Sequence, residues 1–139
     1  MIKAKIIVEG IDGTGKSTFC NLLKTTLHIH ATDKTLNTFD WHFNILKQEE
    51  SQVWDRSYIG EWVWSKVFNR QCKLTDEDIK KLLEVEGQVF VYCQSNIWKD
   101  VLTKRGQSNQ IESRLLALKY YEDFFIKFNV PIIRRELSI

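Results

Sequence analysis

The stretch Gly10-Ile11-Asp12-Gly13-Thr14-Gly15-Lys16-Ser17 constrains this chain more than any other part of it. It satisfies G-x-x-x-x-G-K-S and gathers three of the six glycines found in all 139 residues. Such a loop works only between a strand and a helix: its backbone N–H groups turn inward around phosphate, and the following helix adds the positive end of its dipole. Both neighbours are legible. Lys3 to Glu9 is a short, β-branched, nearly continuous apolar run, suited to a strand covered on both faces. Phe19, Leu22, Leu23, Thr26 and Leu27 then recur at the spacing of an amphipathic helix. In that frame Gly10, Gly13 and Gly15 permit the curl, with Asp12 and Thr14 part of the cradle. Lys16 neutralises the outer phosphates of a nucleoside triphosphate, and Ser17, followed by Thr18, offers a hydroxyl to Mg²⁺. ATP and Mg²⁺ are the expected cofactors.

The rest of the chain alternates in the same way. A weak second strand is expected over Thr35 to Phe39 and a third at Gln52-Val53-Trp54, ending at Asp55-Arg56-Ser57. The spacing of Ile59, Trp62, Val63 and Val67 predicts a helix from Tyr58 to Asn69, and Thr75 with Asp78 three residues on reads as the capping box of another. Val89-Phe90-Val91-Tyr92-Cys93 is a further buried strand. Two helices follow, a short one carrying Ile97, Val101 and Leu102 and a longer one from Ile111 to Phe128. The only proline, Pro131, precedes a last strand. Strands alternating with helices predict a single α/β domain, a three-layer α/β/α sandwich around a mostly parallel sheet of about five strands.

Composition excludes several function classes. A formal charge of +2 is too small for general binding to nucleic acid or a membrane, so any polyanion site is local. Cys20, Cys72 and Cys93 show no metal-ligand spacing and are odd in number, which argues against a disulfide framework and for a reducing, cytoplasmic setting. The short apolar N-terminal run lacks a signal-peptide core, and no membrane span is expected.

Val8-Glu9-Gly10-Ile11-Asp12-Gly13-Thr14-Gly15-Lys16-Ser17-Thr18 resembles the opening of thymidylate kinases and their small phage-type relatives. Asp55-Arg56-Ser57 resembles the element that follows the third strand in thymidylate and deoxynucleoside kinases. The spacing to Arg105, Arg114 and Tyr120-Tyr121 resembles that family's lid and final helix. The resemblance implies a P-loop NTPase fold and a kinase transferring phosphate from ATP to a deoxynucleoside monophosphate such as thymidylate. It places Asp12 near the acceptor sugar and metal, and Arg56 between donor and acceptor phosphates. Chemistry agrees, because a moving phosphoryl group needs cations and the arginine fork matches its oxygens. Asp55 joins Ser17 as the expected metal contact. Arg105 and Arg114, on or beside a polar segment around 103–114, are expected to close over ATP. The chain's shortness also resembles pared-down viral kinases, which would place it in a host cytoplasm.

The acceptor side, expected around 36–70, departs from that family. Between Lys16 and Asp55 there is no arginine, so an acceptor phosphate must be held by lysines or by Arg56 and Arg70. Arg70 stands where the family uses a second acceptor-site arginine, and equally where a helix end draws a cation. Aromatic residues also gather there: Trp41, Phe43 and Trp64 either stack on a base or fill the core. Asp40 falls where deoxynucleoside kinases keep a carboxylate base; His42 is either an alternative base or hydrogen-bond donor or, as a surface histidine, inert. A deoxynucleoside kinase, a kinase of polynucleotide 5′-ends and a non-catalytic ATP-binding module therefore stay open beside the monophosphate kinase. The expected partner is a small nucleotide or nucleoside, with nucleic acid only as a 5′-end substrate. Trp and Phe on the helix from Tyr58 leave a homodimer contact open.

Overall fold

The computed structural model describes residues 3–25, 27–31 and 38–137. Five strands, β1 (Lys5–Glu9), β2 (Leu27–His30), β3 (Gln52–Asp55), β4 (Gln88–Ser95) and β5 (Ile132–Leu137), form one sheet in the order β2-β3-β1-β4-β5. Every pairing is parallel. The helices are α1 (Lys16–Leu22), α2 (Phe39–Leu46), α3 (Tyr58–Val67), α4 (Asp76–Leu83), α5 (Trp98–Lys104) and α6 (Ile111–Lys127), with a 3₁₀ turn at Ser108–Gln110. The expected α/β fold and strand number are borne out.

Period-two alternation sorts the strand residues onto two faces. Ile7, Trp54, Phe90 and Tyr92 enter the larger core with α2, α3, α4 and α6, whereas Val8, Val53, Val91 and Cys93 meet Cys20 and Phe19 of α1. The connection from β1 runs to one side of the sheet and that from β3 to the other, so the carboxyl ends of these neighbouring strands form the crevice where such sheets bind ligands. That crevice receives both sequence motifs. Thr75 and Asp78 make the expected reciprocal capping box at the start of α4.

Two expectations are corrected. Among the described residues the second strand is β2, Leu27–His30; residues 35–37 of the strand expected over Thr35 to Phe39 lie outside the described residues, and Phe39 opens α2. The first helix accordingly ends at Leu22, and Leu27 pairs with Gln52 of β3 instead of extending the helical stripe. Asp40 thus sits in the exposed first turn of α2, not at a strand end. Among the described residues no helix is long and apolar enough to cross a membrane. On α3, Trp62 is buried and Trp64 half-buried, while Phe68, just past its end, is exposed.

His42, expected at the surface, is wholly buried: its ring stacks on Trp54 with centroids 5.5 Å apart, and Nδ1 lies 2.8 Å from the Thr38 carbonyl. Burial lowers its pKa from the ordinary 6.5 to about 4. Well above 6.5 the ring is neutral in both folded and unfolded chains and contributes no pH dependence. Between the two values the unfolded chain takes up more protons, so stability falls as pH falls, by about 3 kcal/mol once pH 4 is reached. Urea unfolding at pH 7 and pH 4 should show that loss in the wild type and a smaller one in His42→Phe. Equal pH slopes in the two proteins would refute it.

Candidate functional site

The phosphate loop begins where β1 ends. Gly10 passes against β4, and Gly15 adopts φ 75° as the residue before α1. The Thr14 hydroxyl donates to the Ile11 carbonyl at 2.6 Å and is itself buried, so it braces the loop from inside. Lys16 Nζ stands 3.2 Å from Asp55 Oδ1, and the Ser17 hydroxyl donates to Asp55 Oδ2 at 3.2 Å. Thr18 is exposed on the next position. Asp12, Gly13, Lys16, Ser17, Val101 and Arg105 border an open cleft of ≈ 250 Å³. Arg105, exposed at the end of α5, therefore stands at the mouth of the phosphate loop.

Arg56 follows β3 with φ 70°, a left-handed conformation that costs a residue with a side chain about 1–2 kcal/mol. Its backbone N–H donates to the Val8 carbonyl at 3.0 Å, which locks the turn onto β1. The guanidinium reaches Asp12 Oδ1 at 3.1 Å, and Arg114 of α6 reaches Asp12 Oδ2 at 2.8 Å. Burial pushes the Asp12 carboxyl up, but the Arg114 hydrogen bond and the Arg56, Arg114 and Lys16 charges outweigh it and hold it below the ordinary value. Arg114 also lies over the Trp64 ring, 5.0 Å from its centroid. Trp64 Nε1 and Arg114 Nε are buried with no hydrogen-bond partner among the described residues.

The structure thus brings Asp12, Arg56, Arg114 and Trp64 together beside the Lys16, Ser17 and Asp55 group. Asp40 is exposed away from this group, and Arg70, Trp41 and Phe43, also expected on the acceptor side, have other partners. Arg70 embraces the buried Glu61 carboxylate, with Nη1 2.9 Å from Oε2. Trp41 packs edge-on against Trp54, centroids 5.7 Å apart, and Phe43 stacks on Phe39 at 5.2 Å.

Three residues make contacts here that the sequence reading did not assign to the site. Glu9 is a buried carboxylate one residue before the loop, and Tyr121 of α6 donates its hydroxyl to it at 2.7 Å. His30, at the carboxyl end of β2, places Nδ1 3.5 Å from Asp55 Oδ2 with its ring exposed. The alternation Leu27-His28-Ile29-His30 was the available signal for His30. No local signal pointed to the Glu9 contact.

The donor set suits Mg²⁺ held on the phosphates of a nucleotide. One carboxylate and one hydroxyl beside a lysine leave most ligand positions to phosphate and water, as this cation prefers. Among the described residues no group of three or more His, Cys, Asp and Glu forms a cage of the kind zinc takes.

No protein-family model matches the chain, and no curated protein matches it in sequence. Solved structures do match. The YorR protein of Bacillus subtilis, in complex with phosphorylated GDP, aligns over 96% of this chain and 85% of its own with TM-score 0.78 and 20% identity. Deoxyadenosine kinase of M. mycoides with bound dCTP aligns over 95% and 89% with TM-score 0.57 and 18% identity. Thymidylate kinase of Ehrlichia chaffeensis aligns over 98% and 88% with TM-score 0.58 and 12% identity. Identities this low carry the fold alone, and the chain has the fold that YorR and these two kinases share.

Proposed function

We propose that the chain is a P-loop phosphotransferase that moves the γ-phosphoryl group of ATP, with Mg²⁺, onto a deoxynucleoside monophosphate, thymidylate being the acceptor that the resemblance favours. The observation that carries this reading is the meeting of Arg56 and Arg114 on Asp12 at the edge of the phosphate loop. Two guanidiniums that share one carboxylate are arranged to grip a phosphate, whose oxygens match the arginine fork. An acceptor phosphate is already ionised and needs cations rather than a base. The arginine missing before Asp55 is thereby replaced by Arg114, drawn in from α6.

In this reading one domain does both tasks, with the segment around 36–70 receiving the acceptor and that around 103–114 acting as lid. Lys16 holds the β- and γ-phosphates, and Ser17 and Asp55 hold the metal. When bound, Mg²⁺ neutralises charge on the β- and γ-oxygens. Arg56 spans donor and acceptor, Asp12 orients it, and Arg105 excludes water at the mouth. Trp64 offers its ring to the acceptor base once Arg114 turns to phosphate.

A second reading, a kinase of a deoxynucleoside 5′-hydroxyl, draws on His30, whose exposed imidazole lies beside Asp55 at the crevice. Incubation with γ-labelled ATP, Mg²⁺ and a panel of nucleosides, monophosphates and 5′-hydroxyl oligonucleotides separates the two. The first reading expects labelled diphosphates. Label confined to monophosphates supports the second, and no transfer to any acceptor overturns both.

A further inference from the structure

Glu9 ends β1 one residue before Gly10, and its side chain is buried on the sheet face that carries α3 and α6. Three donors converge on the carboxylate. The Ser57 hydroxyl donates to Oε2 at 2.7 Å, the Gly60 backbone N–H to Oε2 at 3.0 Å and the Tyr121 hydroxyl to Oε1 at 2.7 Å. A buried carboxylate is costly unless its lone pairs are occupied; three donors occupy most of them here, and burial still holds the Glu9 pKa above the ordinary value. The fit is close: a Cβ on Gly60 would stand 3.1 Å from Glu9 Oε1, so the first turn of α3 carries glycine where it meets this group.

Each side-chain donor sits on an element that also sends an arginine to Asp12. Ser57 follows Arg56 directly. Tyr121 lies two helical turns beyond Arg114, on the same face of α6. Glu9 and Asp12 therefore hold the same two elements twice, at an inner buried point and at an outer, partly open one. The outer Arg56 contact is exchangeable, since the Arg56 and Asp12 side chains keep 32% and 26% exposure and such pairs are weak, whereas the Arg114 side chain keeps 14%. The inner contacts are shut away from water.

We propose that Glu9 is a positioning residue: its buried carboxylate fixes the Arg56-Ser57 turn and α6 against β1, so that Arg56 and Arg114 meet at Asp12. The geometric part stands by itself, and the kinetic part rests on the phosphoryl-transfer reading. Tyr121→Phe removes one hydroxyl and keeps the ring against Tyr92 and Phe125. Carboxyl-carbon NMR titration of the ligand-free protein should then show Asp12 moving up toward the ordinary aspartate range, because its two arginines have loosened. The kcat for transfer from ATP should fall roughly 10- to 100-fold, with KM for ATP held within about twofold. Ser57→Ala, which removes a second donor together with the Ser57 cap on the Ile59 N–H of α3, replaces Tyr121→Phe should that variant not fold, with Ser57→Thr, which keeps a hydroxyl, as its control. An unmoved Asp12 titration in a folded variant overturns the positioning role, and a moved titration with unchanged kcat overturns its bearing on turnover. A moved titration in a protein whose wild type transfers no phosphate supports the positioning role and refutes the kinase reading.

Discussion

Arg56→Gly is expected to slow phosphoryl transfer by about 10³-fold or more, while leaving the protein about as stable as the wild type. The two halves of that expectation have separate causes. Arg56 holds φ 70°, which glycine adopts freely and a residue with a side chain adopts at a cost of about 1–2 kcal/mol. Against that relief stand the greater freedom of glycine in the unfolded chain, about 0.5–1 kcal/mol, and the loss of a half-exposed ion pair to Asp12, about 0–1 kcal/mol. The terms nearly cancel. The proposed transfer has no such compensation, because in that proposal the Arg56 guanidinium is the group that spans donor and acceptor phosphates. Strain kept at a site where glycine would be easier points to a side chain retained for function. Thermal unfolding together with single-turnover transfer of label from ATP checks both halves. A destabilised variant with undiminished transfer would make Arg56 a structural residue and remove the basis of the proposed chemistry. Arg56→Lys should fall between, since it keeps the charge and loses the fork.

The parts of this site that were legible in the sequence are those built from neighbouring residues. Gly10 to Ser17 declares its own loop, because glycine, lysine and hydroxyl have fixed tasks over a few positions, and Asp55-Arg56-Ser57 declares the end of β3. Where pairing across the sheet decides, local pattern misleads. Leu27-His28-Ile29-His30 alternates as a strand should, yet Leu27 also continues the spacing of Phe19, Leu22 and Leu23, and only the parallel partner β3 settles the matter. Four residues are too few for periodicity to outvote that partner. Asp40 moved with this shift, from a strand end to a helix turn. His42 is an ordinary polar residue in the sequence and a core residue in the fold because Trp54 and Tyr58 close around it. The acceptor side depends on distant pairs: Arg114 meets Asp12 across 102 positions and Tyr121 meets Glu9 across 112. Arg70 looked equally suited to phosphate until Glu61, nine residues earlier, proved to be its partner.

Gly10→Ala should destabilise the protein by about 3–5 kcal/mol, the sum expected for a strained backbone and an overpacked contact. Gly10 has φ 149°, and a Cβ there would lie 2.6 Å from the Cys93 carbonyl oxygen, 3.1 Å from Thr14 Oγ1 and 3.3 Å from Cys93 Cβ. None of these neighbours can step aside cheaply. Cys93 is held in β4, which pairs with β1 on one side and with β5 on the other. Thr14 is fixed by its own bond to the Ile11 carbonyl. The methyl group must therefore spread β1 from β4 or unwind the start of the phosphate loop, and either change moves Lys16 from Asp55. Against a total stability of about 5–15 kcal/mol, a loss of that size leaves a substantial fraction of the chain unfolded near physiological temperature. Gly106→Ala is the matched control. It has φ 71° and nothing within 4 Å of the added carbon, so it should lose only the backbone term of about 1–2 kcal/mol. Urea unfolding of both variants at equal m-value gives the comparison. A Gly10→Ala midpoint no lower than that of Gly106→Ala would mean that the close pass beneath β4 does not hold the loop. The glycine at that position would then answer only to the curl of the phosphate cradle.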